Sequence, residues 1–323
     1  MPAIIETQNL TKRYGALIAV DALSLSVEQG AIYGFVGPNG AGKTTTMRMM
    51  TTLLQPTSGQ AWIAGASITK DPRGVRRAIG YMPDFFGVYD DMKVWEYLDF
   101  FAACYEIPEG ARKALINDLL ELVDLAHRRE DMVDTLSRGM KQRLCLARTL
   151  AHDPRILILD EPASGLDPRA RIEIRELLLE LSRLGKTIFF STHILADVAE
   201  ICTQVGIVEA GRLVAQGSLD EMQRRLAPNR RLHVTLLGKL DEARQALTRR
   251  AGVLAVKDHE ASAGASAAPG APAVLDVDFS GDDAGVSALL QDLVGRGVPV
   301  LHFSESVHDL EDVFMQATKG IVS

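Results

Sequence analysis

Residues Gly37 to Thr45 read Gly-Pro-Asn-Gly-Ala-Gly-Lys-Thr-Thr, and no other stretch restricts the possible folds of this chain as strongly. The spacing fits the phosphate-loop pattern, a glycine followed after four residues by Gly-Lys-Thr. Gly37, Gly40 and Gly42 are expected to take positive φ and turn backbone N–H groups toward phosphate oxygens. Lys43 adds a positive charge for the β- and γ-phosphates of a nucleotide, and Thr44 offers a hydroxyl to Mg²⁺. With Pro38, Asn39, Ala41 and Thr45 they make up the nucleotide-binding set. Such a loop needs a buried strand before it and a helix after it, whose positive end faces the anion. Ala31 to Val36 supplies the strand and Thr45 to Thr51 the helix, so the chain is predicted to be α/β.

Residues 4 to 30 alternate in polarity, as in Ser24-Leu-Ser-Val-Glu28, which predicts an antiparallel β layer beside the loop. Tyr14 stands there ahead of the phosphate loop, either to stack on a purine or as a half-buried sheet-edge ring. Pro56 to Gly59 reads as a turn, Gln60 to Gly65 as a return strand, and Ile79 to Pro83 as a strand stopped by proline. From about 84 to 150 the period changes to helical, with helices expected over 94–103 and 111–125. Phe85, Phe86, Val88, Tyr89 and Trp95 read as core of this helical insertion rather than as a contact surface. Ser137 is placed to cap a helix running to Leu150.

Arg155 to Pro162 carries four consecutive aliphatics, Ile156 to Leu159, that end in two adjacent carboxylates, Asp160 and Glu161. A strand of this kind is buried on both faces of a parallel sheet, and ligands bind beyond its carboxyl end. Two acids there need a cation, and Mg²⁺ bound to nucleotide phosphates supplies one. Asp160 then serves the metal and Glu161 polarises water. A turn through Asp167 leads into a helix over 169–184, and the strand Thr187 to Phe190 ends in Ser191-Thr-His193. His193 lies just past its strand and is placed to reach the γ-phosphate.

A length of 323 residues and 47% hydrophobic content allow one large domain and a smaller one. The net charge of −7 argues against a nucleic-acid surface. With no apolar run of membrane length and no leader pattern, a cytosolic chain is expected, with Cys104, Cys145 and Cys202 as core thiols.

Taken in order, these stations resemble the nucleotide-binding subunit of ATP-binding cassette (ABC) transporters over residues 1 to about 225. The resemblance implies a P-loop NTPase cassette over 1–228 with an antiparallel β layer and a helical subdomain over about 84–150. It makes Tyr14 the adenine platform, residues 37–45 the Walker A loop, Asp160 and Glu161 the Walker B pair with its catalytic base, Asp167 part of the D-loop and His193 the switch histidine. Ser137, Arg138, Gly139 and Met140 stand in the signature motif, which in this family faces the ATP of a second copy. ATP and Mg²⁺ are the implied cofactors, and a homodimer on a separate membrane permease, at the cytoplasmic face of the membrane, is the implied assembly. A soluble ABC ATPase of translation or DNA repair is the alternative, but those relatives usually carry two cassettes or a long coiled coil, and neither is visible in this sequence.

Two positions depart from the family pattern. Arg138 and Met140 replace the first Gly and the Gln of the usual Leu-Ser-Gly-Gly-Gln. Asp84 stands where the Q-loop glutamine is expected, either as a Mg²⁺ ligand or as a turn residue capping the helical insertion. An unscreened carboxylate about 4 Å from a phosphate charge is repelled by about 4 kcal/mol at an effective dielectric of about 20, so the first reading requires the metal between them.

Residues 229–323 are expected to form a small α+β ferredoxin-like domain of order β-α-β-β-α-β, with a flexible connector over 261–273. A closing helix from Ser304 to Lys319 resembles the tail of cassettes that serve ABC-2 type exporters, including drug export systems. No catalytic constellation is visible in this segment, which is read as regulatory or dimer-supporting.

Overall fold

The computed structural model describes residues 3–84, 87, 91–219, 221–222, 230–258 and 272–306. They form two compact units that divide after Leu219, earlier than the 228/229 boundary read from the sequence. Phe85, Phe86, Val88 and Tyr89, most of the connector and the closing helix beyond Ser306 lie outside the described residues.

The first unit opens with β1 (Ala3–Tyr14), β2 (Leu17–Leu23), β3 (Ser26–Glu28) and β4 (Ile32–Val36), followed by the loop and α1 (Lys43–Met50). Next come β5 (Ser58–Ile63), β6 (Ala66–Ser67), α2 (Pro72–Ala78) and β7 (Ile79–Met82). The helical region holds α3 (Val94–Cys104), α4 (Glu109–Leu122) and α5 (Arg138–Leu150). The unit continues with β8 (Ile156–Asp160), α6 (Pro168–Arg183), β9 (Thr187–Thr192), α7 (Leu195–Ile201), β10 (Gln204–Glu209) and β11 (Arg212–Ser218).

Strands β1, β2, β3, β5 and β6 make the antiparallel layer, and a six-stranded sheet of order β11-β10-β4-β9-β8-β7 makes the other. The latter is parallel except for β11 at its edge. Its central strands β4, β8 and β9 are buried along their whole length, which is why they read as continuous apolar runs. Burying each of Ile156, Leu157, Ile158 and Leu159 fully contributes about 2 kcal/mol. Between the sheets the core is aromatic at its centre, with Tyr33 stacked on Phe189 at a centroid distance of 5.2 Å. The Tyr33 hydroxyl donates to Gln216 Oε1 at 3.2 Å, and a side chain at Gly206 would strike that ring.

Cys145 and Cys202 are buried as expected, whereas Cys104 is exposed. It lies in the last turn of α3, off the stripe of Val94, Tyr97, Leu98 and Ala102 that faces the core. Among the described residues no helix is long and apolar enough to cross a membrane.

The second unit contains β12 (Arg230–Leu236), α8 (Leu240–Thr248), β13 (Val253–Asp258), β14 (Ala273–Phe279), α9 (Asp283–Gly295) and β15 (Val300–Ser306). Its antiparallel sheet runs β13-β14-β12-β15, the arrangement of a split β-α-β fold. Alternate residues Leu232, Val234 and Leu236 of β12 and Leu275, Val277 and Phe279 of β14 enter a core closed by Ala243, Leu247, Leu289 and Leu293. Strand β14 begins at Ala273, inside the connector expected over 261–273.

Candidate active site

Parallel β4, β9, β8 and β7 lie side by side, so their carboxyl ends deliver the phosphate loop, His193, Asp160-Glu161 and Asp84 to one edge of the sheet. A cleft of about 490 Å³ opens there, lined by Tyr14, Leu17, Ala19, residues 38–45, Asp84, Glu161, Ser164 and His193. Tyr14 and Leu17 stand exposed beside it, and Lys12 Nζ lies 5.2 Å from the Tyr14 ring centroid.

The loop's glycines serve different ends. Gly40 and Gly42 have φ of 84° and 94°, as expected, but Gly37 does not take positive φ. Gly37 is required by close approach, because a Cβ there would run into the Val208 carbonyl of β10. Gly42 is constrained twice, since a Cβ would also overlap the Ala19 carbonyl. It is the N-cap of α1 and its carbonyl accepts the Thr46 N–H at 2.9 Å, which orients the free N–H groups of the first turn toward the cleft.

Lys43 is almost fully buried, and its ammonium donates to the Gly37 carbonyl at 2.7 Å and the Pro38 carbonyl at 3.2 Å. It also lies 3.4 Å from Glu161 Oε1, while His193 Nδ1 lies 2.8 Å from Glu161 Oε2. Both oxygens of Glu161 therefore face a nitrogen.

Register places Asp160 of β8 beside Ser191 of β9. The Ser191 hydroxyl donates to Asp160 Oδ1 at 2.6 Å and accepts the Glu161 N–H at 2.9 Å. Asp160 is wholly buried, and its Oδ2 has no hydrogen-bond partner. A buried carboxylate oxygen left bare fits a cation in front of it. Glu161 has φ of 50°, a left-handed conformation that costs a non-glycine residue about 1–2 kcal/mol. Partial desolvation, then Asp160, then Glu161 raise the Asp84 pKa above the ordinary carboxylate range. Among the described residues no three His, Cys, Asp or Glu side chains converge to hold a metal unaided, so an ion here would complete its shell with phosphate and water.

The remaining sequence-selected residues lie elsewhere. Ser137, Arg138, Gly139, Met140 and Asp167 line a second, smaller concavity of about 230 Å³ and take no part in lining the first. Ser137 caps α5 by accepting the Met140 N–H at 3.3 Å, and Asp167 caps α6 through the Ala170 N–H at 2.9 Å. Ser191 was missed at the sequence level. Only the Ser-Thr-His ending of β9 hinted at it, since its two hydrogen bonds depend on register.

Comparison with known proteins gives a consistent result. The family model described as "ABC transporter" matches residues 20–164. The Bacitracin transport ATP-binding protein BcrA of Bacillus licheniformis is 42% identical over 226 residues, covering 70% of this chain and 73% of that protein. The Nod factor export ATP-binding protein I of Burkholderia orbicola is 40% identical over 216 residues, covering 67% and 71%. Among solved structures, one described as the ATP binding subunit of an ABC transporter superposes with a TM-score of 0.63 at 31% identity, covering 69% of this chain and 92% of that one.

Proposed function

Since this chain belongs to the ABC transporter family, as one of its ATP-hydrolysing cassettes, we propose that it works as a homodimer and powers export through a separately encoded membrane permease of the ABC-2 type. One observation carries the reading: the cleft that gathers Lys43, Glu161 and His193 lacks Ser137 and Gly139, which line a different concavity of the same chain. Each copy then holds two half-sites, and a second copy joins them. ATP lies on the Tyr14 ring and the 37–45 loop, and Ser137 of the partner subunit closes on its γ-phosphate. The protein sits at the cytoplasmic face of the membrane through its permease, which selects the cargo.

In catalysis Glu161 accepts a proton from the attacking water. Lys43, His193 and Ser137 of the partner subunit stabilise the charge that develops on the phosphoryl oxygens. Lys43 must leave Glu161 to do so, which frees the carboxylate as the nucleotide enters. Mg²⁺ suits the oxygen donors Thr44, Asp160 and Asp84, and when bound it neutralises phosphate charge. Catalysis rests wholly on the cassette, residues 1–228, and the unit over 229–323 supports dimerisation or regulation.

The assembly is tested by light scattering after size-exclusion chromatography. The mass is expected to double on adding MgATP, and co-expression is expected to retain the protein on a permease with multiple membrane spans. A monomer in all nucleotide states, with no permease recovered, would refute the reading. For the metal, Asp84→Asn is expected to raise the Mg²⁺ concentration for half-maximal ATPase activity several-fold, with a smaller change in metal-free ATP affinity. The same Mg²⁺ titration in Asp84→Asn, Asp84→Ala and wild type would leave Asp84 only its turn-capping role.

A further inference from the structure

Helix α5 is tied to the turn after Glu161 at two points of different character. The first is buried and neutral, with Gln142 Nε2 donating to the Pro162 carbonyl at 2.5 Å. The second is exposed and charged: Arg138 Nη2 donates to the Ser164 carbonyl at 3.1 Å. The Arg138 guanidinium lies against the bare Cα of Gly165, where a Cβ would stand 2.6 Å from Cζ. Gly165 has φ of 68° and so needs glycine on two counts. Among the described residues no carboxylate forms an ion pair with Arg138, so a peptide carbonyl is its acceptor.

The turn it holds belongs to both half-sites. Ser164 lines the nucleotide cleft and its N–H donates to the Glu161 carbonyl at 3.1 Å. Gly165, Leu166 and Asp167 line the concavity that contains Ser137 and Gly139. Arg138 thus links the backbone around the catalytic carboxylate to the surface that meets the other copy's nucleotide.

We propose that Arg138 is a positioning residue that couples the two nucleotide sites of the dimer by exchanging the Ser164 carbonyl for a phosphate oxygen of the ATP held by the partner subunit. This rests on the paired-cassette reading above. A phosphate oxygen is the stronger acceptor for a guanidinium, because it carries the opposite charge and offers the fork two parallel hydrogen bonds, whereas the Ser164 carbonyl is neutral. Arrival of ATP at the signature surface draws Arg138 away and releases the Ser164–Gly165 turn, and with it the backbone that orients Glu161. The coupling is reciprocal, so a turn held by its own loaded cleft changes how readily Arg138 is released.

The test is a double-mutant cycle in the full-length protein with Arg138→Gly, Gly165→Ala and both together, and Arg138→Lys as the conservative variant. With two sites the wild-type Hill coefficient for ATP hydrolysis is expected near about 2. Arg138→Gly and Gly165→Ala are each expected to bring it to about 1, and Arg138→Lys to restore part of the difference, since lysine keeps the charge but not the fork. The kcat of the double variant is expected within about twofold of Arg138→Gly alone, because the contact is already lost. An unchanged Hill coefficient in Arg138→Gly, a wild-type value of one, or kcat losses that multiply in the double variant would overturn the proposal while leaving an ATP-dependent dimer standing. Absence of that dimer in the wild type, read by light scattering, overturns the paired-cassette reading and this proposal with it.

Discussion

Glu161→Gln is expected to lower ATP turnover by about 1000-fold while nucleotide binding persists, because the amide cannot take the proton from water. The substitution keeps the length of the side chain and its reach to His193 Nδ1, now 2.8 Å from the carboxylate. It removes the charge that lies 3.4 Å from Lys43 Nζ. With that competitor gone, Lys43 is freer to meet phosphate, so ATP affinity is expected to hold or rise. Steady-state phosphate release alongside equilibrium binding of a fluorescent ATP analogue separates the two effects. Turnover at the wild-type rate in this variant would remove Glu161 from the role of base.

The second large effect is expected at Gly42, where Ala should weaken ATP binding by about 100-fold, equivalent to about 2.7 kcal/mol. Its φ of 94° costs a side chain about 1–3 kcal/mol. The added Cβ would also overlap the Ala19 carbonyl and crowd Val20, so the loop must move away from β2. That movement displaces the N-terminus of α1, whose N–H groups hold the phosphates in the proposed binding mode. Gly185→Ala is the control, because Gly185 has φ of 85° with open space around it. It should lower thermal stability and leave ATP affinity unchanged. Calorimetric titration of both variants checks this, and equal losses of affinity would mean that the packing against Ala19 is irrelevant.

What could be read from the sequence was whatever depended on local pattern. The aliphatic run before Asp160 announced a buried parallel strand, and the Gly-Lys-Thr spacing announced the loop, because both signals are contained within ten residues. Short elements with little burial escaped. Helix α2 buries only Val75, so seven residues offered no helical stripe. The β10–β11 hairpin turns at Ala210-Gly211 with both φ positive, a conformation alanine seldom takes, and β11 has little apolar alternation. Contacts across the sequence escaped as well. Ser191 bridges Asp160 and Glu161 only because β8 and β9 pair in one register, and Gly37 is confined by Val208 of β10 rather than by its own dihedral angle. In the sequence Arg138 shows only as a replacement for the first Gly of the signature, and only the folded chain brings its guanidinium onto Ser164 and Gly165.

With Glu161 in the proposed role of base, its left-handed backbone sets folding and turnover against each other at one position. Glycine would relieve about 1 kcal/mol of local strain there, and asparagine also tolerates that region, yet neither offers a carboxylate of the same reach. Selection for thermal stability alone therefore favours residues that end hydrolysis, and only continued demand for ATP turnover keeps glutamate in place. A duplicated copy released from that demand would drift at this codon early, remaining well folded and able to bind nucleotide. Its degeneration would leave a competent ligand-binding relic rather than an unstable protein.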